Sequence, residues 1–164
     1  INHINNYSFP KKLEDELKNI FKYKKACIGF APGAGEKCKK WKIEYFLQVA
    51  KYFIERNYDI AFFVGPEDLY ERNIILKSFP DAFFPEDLIK DFSGPEIVMA
   101  STKFLVCSLS NDSGVSHMLS TNFCALLKLF GQRDPEKFTP RSSMISSCGC
   151  GVEVYPHALR MSCE

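Results

Sequence analysis

Two kinds of apolar pattern alternate along the chain. Short continuous apolar runs are typical of buried strands, and they predict strands over 26–31, 60–64, 104–108 and 124–130. Other segments place apolar residues every three or four positions, as in Leu13, Leu17 and Phe21, which is typical of amphipathic helices. The helices predicted in this way, or from an N-cap signal such as that of Ser93, cover 11–23, 43–56, 67–78, 93–101 and 117–121.

Two regions carry weaker patterns. Phe83-Phe84 predicts a short additional strand, followed by a brief helical turn over 88–92. Beyond Asp134 the periodicity fades into a tail that contains Pro and Ser, so 124–130 is the last strand that the pattern predicts.

The order of the elements predicts an α/β fold: a Rossmann-like parallel sheet with helices on both faces. Strands alternate with helices, and the strands are continuous apolar runs, as expected when both faces of a sheet are covered. Glycine-rich or polar loops follow the strands directly, at Gly33/Gly35, Gly65, 111–114 and Gly131. The carboxyl ends of parallel strands share one rim, where such sheets bind ligands. We therefore expect these four loops to converge on one site.

Composition narrows the function classes. Hydrophobic residues make up 46% of the 164 residues, which supports one folded domain, and a net charge of +1 argues against a nucleic-acid partner. No apolar run approaches the roughly 18 residues of a membrane span. The seven cysteines are scattered, which favours a reducing, cytoplasmic compartment over a disulfide framework. Cys148, Cys150, His157 and Cys163 admit a metal site, but their spacing is unusual and free thiols are the favoured interpretation.

The segment Asn111-Asp112-Ser113-Gly114 is the strongest local candidate for a site. Backbone N–H groups at a helix start bind phosphate, and Asp112 is able to accept a sugar hydroxyl. The alternative is an ordinary N-cap turn closed by Asp112 or Ser113. His117 follows one helical turn later, where it either faces the ligand or fills a contact between helix and sheet.

Two further loops carry charge after a strand. Lys37, Lys39, Lys40 and Lys42 surround Trp41, and they either neutralise phosphate or form a solvated loop with the indole packed beneath it. The pair Glu67 and Asp68 either holds ribose hydroxyls or marks an acid-rich helix start. The glycines Gly33 and Gly35 are too weak a motif to indicate a dinucleotide site by themselves.

Taken in order, these motifs resemble the C-terminal domain of family 9 glycosyltransferases, the ADP-heptose:lipopolysaccharide heptosyltransferases. The resemblance spans 26–140, and its most specific part is Asp-Ser-Gly-x-x-His followed by a strand and Phe-Gly-x-x-Asp-Pro. The motifs that carry it are Pro32-Gly33-Ala34, Lys39-Lys40-Trp41-x-x-Glu44-x-Phe46, Gly65-Pro66-Glu67, Asn111-Asp112-Ser113-Gly114-x-x-His117 and Leu129-Phe130-Gly131-x-x-Asp134-Pro135.

The resemblance implies one half of a GT-B fold. It makes 1–25 an interdomain linker and helix, 26–140 the domain that binds the nucleotide-sugar donor, and 141–164 a tail that returns to an N-terminal domain. Its implied donor-binding residues are Lys39 for phosphate, Glu67 (or Asp68) for ribose, and Asp112, Ser113 and Gly114 for sugar and diphosphate, with His117 behind them. Gly33, Gly35 and Asn111 are weaker candidates.

The reaction implied is transfer of a heptose with inversion, in synthesis of lipopolysaccharide core or a related glycan, without metal or cofactor. The family's general base and its glycolipid acceptor site belong to the N-terminal domain, which we expect this chain to lack. The chain alone is therefore expected to bind a nucleotide diphosphate-sugar without turnover, in the cytoplasm and at most peripherally at the membrane. The alternatives are a non-catalytic nucleotide-binding module that lost its acceptor domain, and an unrelated flavodoxin-like domain.

Overall fold

A five-stranded parallel sheet organises the computed structural model, which describes residues 8–122, 124–131 and 145–149. The strand order is β2-β1-β3-β4-β5, and every neighbouring pair is parallel. This architecture confirms the α/β, Rossmann-like prediction. The strands are β1 Cys27–Ala31, β2 Asp59–Phe62, β3 Leu105–Asn111, β4 Ala125–Phe130 and β5 Ile145–Gly149.

Helices connect the first four strands and cover both faces of the sheet. The fifth helix shows how the sequence sets a boundary, because Ser93 and Glu96 form a reciprocal capping box beside Pro95. None of the described helices is long and apolar enough to cross a lipid bilayer. The helices are α1 Lys11–Phe21, α2 Ile43–Ile54, α3 Leu69–Ser78, α4 Pro85–Leu88, α5 Gly94–Ser101 and α6 Gly114–Leu119.

The sheet separates two apolar cores. One core packs α1 and α5 against the sheet through residues such as Leu17 and Ile97. The opposite core packs α2 against it through phenylalanines, with Phe30, Phe46 and Phe62 almost wholly excluded from solvent. Because described helices cover both faces of the sheet, the ends of the strands are the place that we expect to be open to a ligand.

The Phe83-Phe84 prediction is wrong in part. The segment forms only an isolated bridge between Ala61 and Phe83, not a strand. A helix begins directly afterwards at Pro85, earlier than the predicted turn over 88–92. Proline has a fixed φ and no N–H, so it cannot extend a strand ladder but suits the first position of a helix.

The prediction that 124–130 is the last strand is also wrong. Residues 145–149 form β5, which pairs in parallel with β4 from Leu126–Ile145 to Phe130–Gly149. This segment reads Ile-Ser-Ser-Cys-Gly and holds one large apolar residue, so its sequence lacks the apolar run that identified the other strands. Its position at the sheet edge is compatible with that polar composition.

Glu86 in α4 gives the fold a testable dependence on pH. Burial raises the pKa of Glu86 to about 7, and Asp87 adds to the rise, while the backbone of Val64 and the guanidinium of Arg72 oppose it. A raised pKa stabilises the fold below the ordinary value of 4.5, and this stabilisation is lost as pH rises through about 7. Glu86→Gln should therefore be more stable than the wild type at pH 8, by on the order of 3 kcal/mol, and similar to it at pH 4.5.

Urea denaturation of both proteins at the two pH values measures this difference. Glu55→Gln is the control, because Glu55 is exposed and its replacement should leave the pH dependence as it is. If the free energies of unfolding of Glu86→Gln and the wild type differ by the same amount at both pH values, the raised pKa of Glu86 is contradicted.

Candidate functional site

Asn111, at the end of β3, ties together the loops at the carboxyl rim. Its side chain is fully buried; Nδ2 donates to the carbonyl of Pro32 at 2.7 Å, and Oδ1 accepts from the backbone N–H of Trp41 at 3.0 Å. One side chain thus joins the ends of β3 and β1 to the segment before α2. The predicted convergence of these loops is confirmed, and both polar atoms of Asn111 are engaged in holding them.

A second cluster joins the loops after β1 and β2. Lys40 lies 2.9 Å from Oδ1 of Asp68 and 2.7 Å from Oε1 of Glu71, which is buried. Asp68 packs over Gly33, where an added Cβ would stand 2.1 Å from its Oδ2. Burial lowers the pKa of Lys40, but its bonds to Glu71 and Asp68 outweigh this and raise the pKa overall. The carboxylate of Asp68 is therefore already paired with a lysine, whereas Glu67 beside it is exposed.

The lysine loop, residues 37–42, is partly anchored to the rest of the fold. Lys39 pairs with Glu36 at 2.5 Å and is largely shielded from solvent, while Lys37 and Lys42 are exposed. The indole of Trp41 packs on α2, with its ring centroid 5.3 Å from that of Phe46. The packed indole confirms one part of the alternative prediction, that Trp41 packs beneath the loop. The loop nevertheless lies at the rim, where its exposed lysines are available to an anion.

The loop after β4 reaches the same rim through a close backbone contact. A Cβ added at Gly131 would stand 2.0 Å from the carbonyl oxygen of Cys38, in the lysine loop. No side chain fits there unless one of the two loops moves. All four predicted strand-end loops therefore meet in space.

Gly131→Ala is expected to destabilise the fold and to displace the lysine loop, because the clash is with backbone rather than with a flexible side chain. We expect a loss of about 1–3 kcal/mol, as for other overpacking substitutions. Gly35→Ala is the matched control, since a Cβ at Gly35 meets nothing within 4 Å. Thermal unfolding of the two variants compares them, and equal unfolding temperatures would refute the close contact.

Asp112 has a partner that the sequence analysis missed. Its Oδ1 lies 2.7 Å from Nζ of Lys128, and the two side chains are 8% and 0% exposed. Lys128 lies within β4, where its ammonium is also 4.8 Å from the ring centroid of Phe130. The available signal was a single lysine in the apolar run Ala-Leu-Leu-Lys-Leu-Phe. A charge in a buried strand requires a partner, and Asp112 supplies it.

The ordinary N-cap alternative for this turn is confirmed in the position of Ser113 and wrong in its side-chain bond. Ser113 occupies the N-cap position of α6, but its side chain makes no capping bond, and Asp112 binds Lys128 instead. Within the described part of the chain, Oγ of Ser113 is buried without a hydrogen-bond partner. A Cβ at Gly114 would meet open space, so a ligand has room to approach the start of α6.

His117 lies on α6 near this ion pair and is exposed. Burial of part of the ring lowers the pKa of His117, the charge of Lys128 lowers it further, and Asp112 opposes both. The imidazole is therefore uncharged at neutral pH. It offers a hydrogen bond to a ligand, and no positive charge.

The possible metal site lies mostly outside the described residues. Cys150, His157 and Cys163 fall there, and Cys148 lies in β5, where only the backbone is described. Among the described side chains, no group of three or more His, Cys, Asp or Glu residues is arranged to hold a metal ion.

Comparison with known sequences identifies relatives of this chain. The sequence model of glycosyltransferase family 9 (heptosyltransferase) matches residues 4–162, a wider span than the predicted 26–140. Lipopolysaccharide heptosyltransferase 2 of Escherichia coli and that of Salmonella typhimurium are each 28% identical over 120 residues. That alignment covers 69% of this chain and 33% of each relative. The chain thus spans about a third of the curated relatives that it matches.

Solved structures share the fold. The glycosyl transferase family 9 protein of Veillonella parvula superposes with a TM-score of 0.76 at 19% identity, over 91% of this chain and 44% of that one. E. coli ADP-heptose LPS heptosyltransferase II superposes with a TM-score of 0.70 at 21% identity, over 86% and 44%. E. coli heptosyltransferase WaaC, solved with ADP, gives 0.67 at 16% identity, over 88% and 46%. This chain corresponds to under half the length of each of these structures.

Proposed function

Since the chain belongs to glycosyltransferase family 9, we propose that it is the donor-binding half of a heptosyltransferase-like enzyme, with an ADP-heptose-like nucleotide sugar as its ligand. The observation that carries the proposal is the buried carboxylate of Asp112, held at a rim where four strand-end loops meet. The names of the relatives support the choice of donor, since they are heptosyltransferases and one was solved with ADP. The flavodoxin-like alternative has no such support.

The residues at the rim suit the parts of such a donor. Transfer breaks the bond between the anomeric carbon and the diphosphate, so negative charge grows on the leaving diphosphate. Lys39 would exchange its pairing with Glu36 for the diphosphate and stabilise that charge without a metal, with the exposed Lys37 and Lys42 beside it. Asp112 accepts a sugar hydroxyl, and Glu67 accepts ribose hydroxyls.

The remaining steps require a general base, a role that we assign to none of the described residues of the rim. Attack on the anomeric carbon with inversion needs a base to deprotonate the acceptor hydroxyl. Asp112 and Asp68 are paired with lysines, so neither is free to act as that base. We place the base and the glycolipid acceptor site on a second domain. The whole enzyme would then act on lipopolysaccharide core or a related glycan at the cytoplasmic surface of a membrane.

Calorimetry with ADP-heptose, UDP-sugars and GDP-sugars tests the proposal. We expect ADP-heptose to bind and the other donors to bind weakly or not at all. Lys39→Ala should weaken ADP and ADP-heptose alike, because both carry the diphosphate, whereas Lys11→Ala on the exposed face of α1 should change neither. If no ADP-sugar binds the wild-type chain, the proposed function is wrong.

A further inference from the structure

Lys128 lies within the sheet, beneath the rim. It lies opposite Ser110 in the register of β3 and β4, two residues before the strand ends at Phe130. Its side chain is fully excluded from solvent, so it cannot touch a donor bound at the rim. Of the groups that its ammonium contacts, Asp112 is the one that we place at the donor site, so we trace the influence of Lys128 on the donor through that carboxylate.

A buried ion pair is not required for stability, because apolar residues of similar volume often do as well or better. Such a pair can instead fix a charged group in one position. At the rim, the carboxylate that is fixed is the one to which the proposed function assigns the sugar. The lysine therefore bears on ligand binding as well as on packing.

We propose that Lys128 is a positioning residue of the donor site: it holds Oδ1 of Asp112 and leaves Oδ2 to accept a hydroxyl of the donor sugar. This inference rests on the proposed function, and it adds a residue that none of the rim motifs contains. It also makes the effect of Lys128 specific to the sugar, because the nucleotide part of the donor does not need Asp112.

The charges that act on His117 in α6 link it to the same ion pair. Lys128 from β4 and Asp112 from the end of β3 are the charged groups that act on His117, and they act on it in opposite directions. Asp112 thus pairs with a cation and lies near enough to the uncharged imidazole to act on it.

The test compares the affinities of the 164-residue chain for ADP-heptose and for ADP, by calorimetry well below the unfolding temperature. In Lys128→Met we expect about a 10-fold or greater loss of affinity for ADP-heptose, the size of one charge-assisted hydrogen bond, and less than about a 3-fold change for ADP. Lys128→Gln, whose amide still donates to Asp112, should recover part of the preference for ADP-heptose. Lys103→Met is the control, since Lys103 pairs with Glu14.

The outcomes separate the proposed role of Lys128 from the proposed function of the chain. If Lys128→Met weakens both ligands equally, or neither, Lys128 has a structural role only and the inference is overturned. Should Lys128→Met not fold, the same comparison is made with Lys128→Gln, and an unchanged ratio of the two affinities overturns it equally. A wild-type chain that binds neither ligand contradicts the proposed function instead.

Discussion

Asp112→Asn is expected to remove most of the chain's affinity for ADP-heptose while leaving its affinity for ADP nearly unchanged. The substitution keeps the size of the side chain and removes the charge that strengthens its hydrogen bond to a sugar hydroxyl. Hydrogen bonds to charged groups contribute about 1.5–3 kcal/mol, so the dissociation constant should rise by about 10- to 150-fold. Calorimetry with both ligands measures the two affinities under the same conditions.

Asp91→Asn is the matched control for this prediction. Asp91 is an exposed carboxylate that also pairs with a lysine, Lys12, but it belongs to none of the four strand-end loops. Its replacement should leave both affinities at their wild-type values. An Asp112→Asn chain that binds ADP-heptose as tightly as the wild type would show that this carboxylate does not hold the sugar.

The second large effect concerns stability. Lys128→Met should cost about 3–5 kcal/mol in the free energy of unfolding, because it leaves the buried carboxylate of Asp112 without its cation. The double substitution Lys128→Met with Asp112→Asn removes both charges and should recover much of that loss. Chemical denaturation of the wild type, the two single variants and the double variant gives the coupling energy directly.

An exposed ion pair provides the comparison. Lys12→Met removes one partner of a pair whose side chains are more than half exposed. Solvent screens such a pair, so its loss should cost far less than that of Lys128. If Lys128→Met and Lys12→Met cost the same, or if the double variant is no more stable than Lys128→Met, the pair is not the buried, coupled one described here.

The positions of the loops could be predicted because they follow from strand direction. Parallel strands end at one rim, so the apolar runs and the glycines after them were sufficient to bring Gly33, Asn111 and Gly131 together. The two cores were predictable for the same reason, since continuous apolar strands require cover on both faces.

The partners of the charged residues could not be predicted in this way. Lys128, Lys40 and Asp68 each depend on contacts between segments far apart in sequence, and no local pattern records which pairs form. Glu67 was the favoured ribose ligand in the sequence and Asp68 the weaker candidate, and the structure pairs Asp68 with Lys40. Strand β5 was missed because an edge strand needs few apolar residues.

Backbone amide chemical-shift mapping of the chain with ADP-heptose tests the central claim most directly. The largest shifts should fall on the strand-end loops at 33–42, 65–68 and 111–117, and ADP alone should reproduce those at 33–42 and 65–68 with smaller changes at 111–117. Shifts confined to the amino ends of the strands or to the outer faces of the helices would contradict a donor site at this rim. The absence of any shift would contradict it as well.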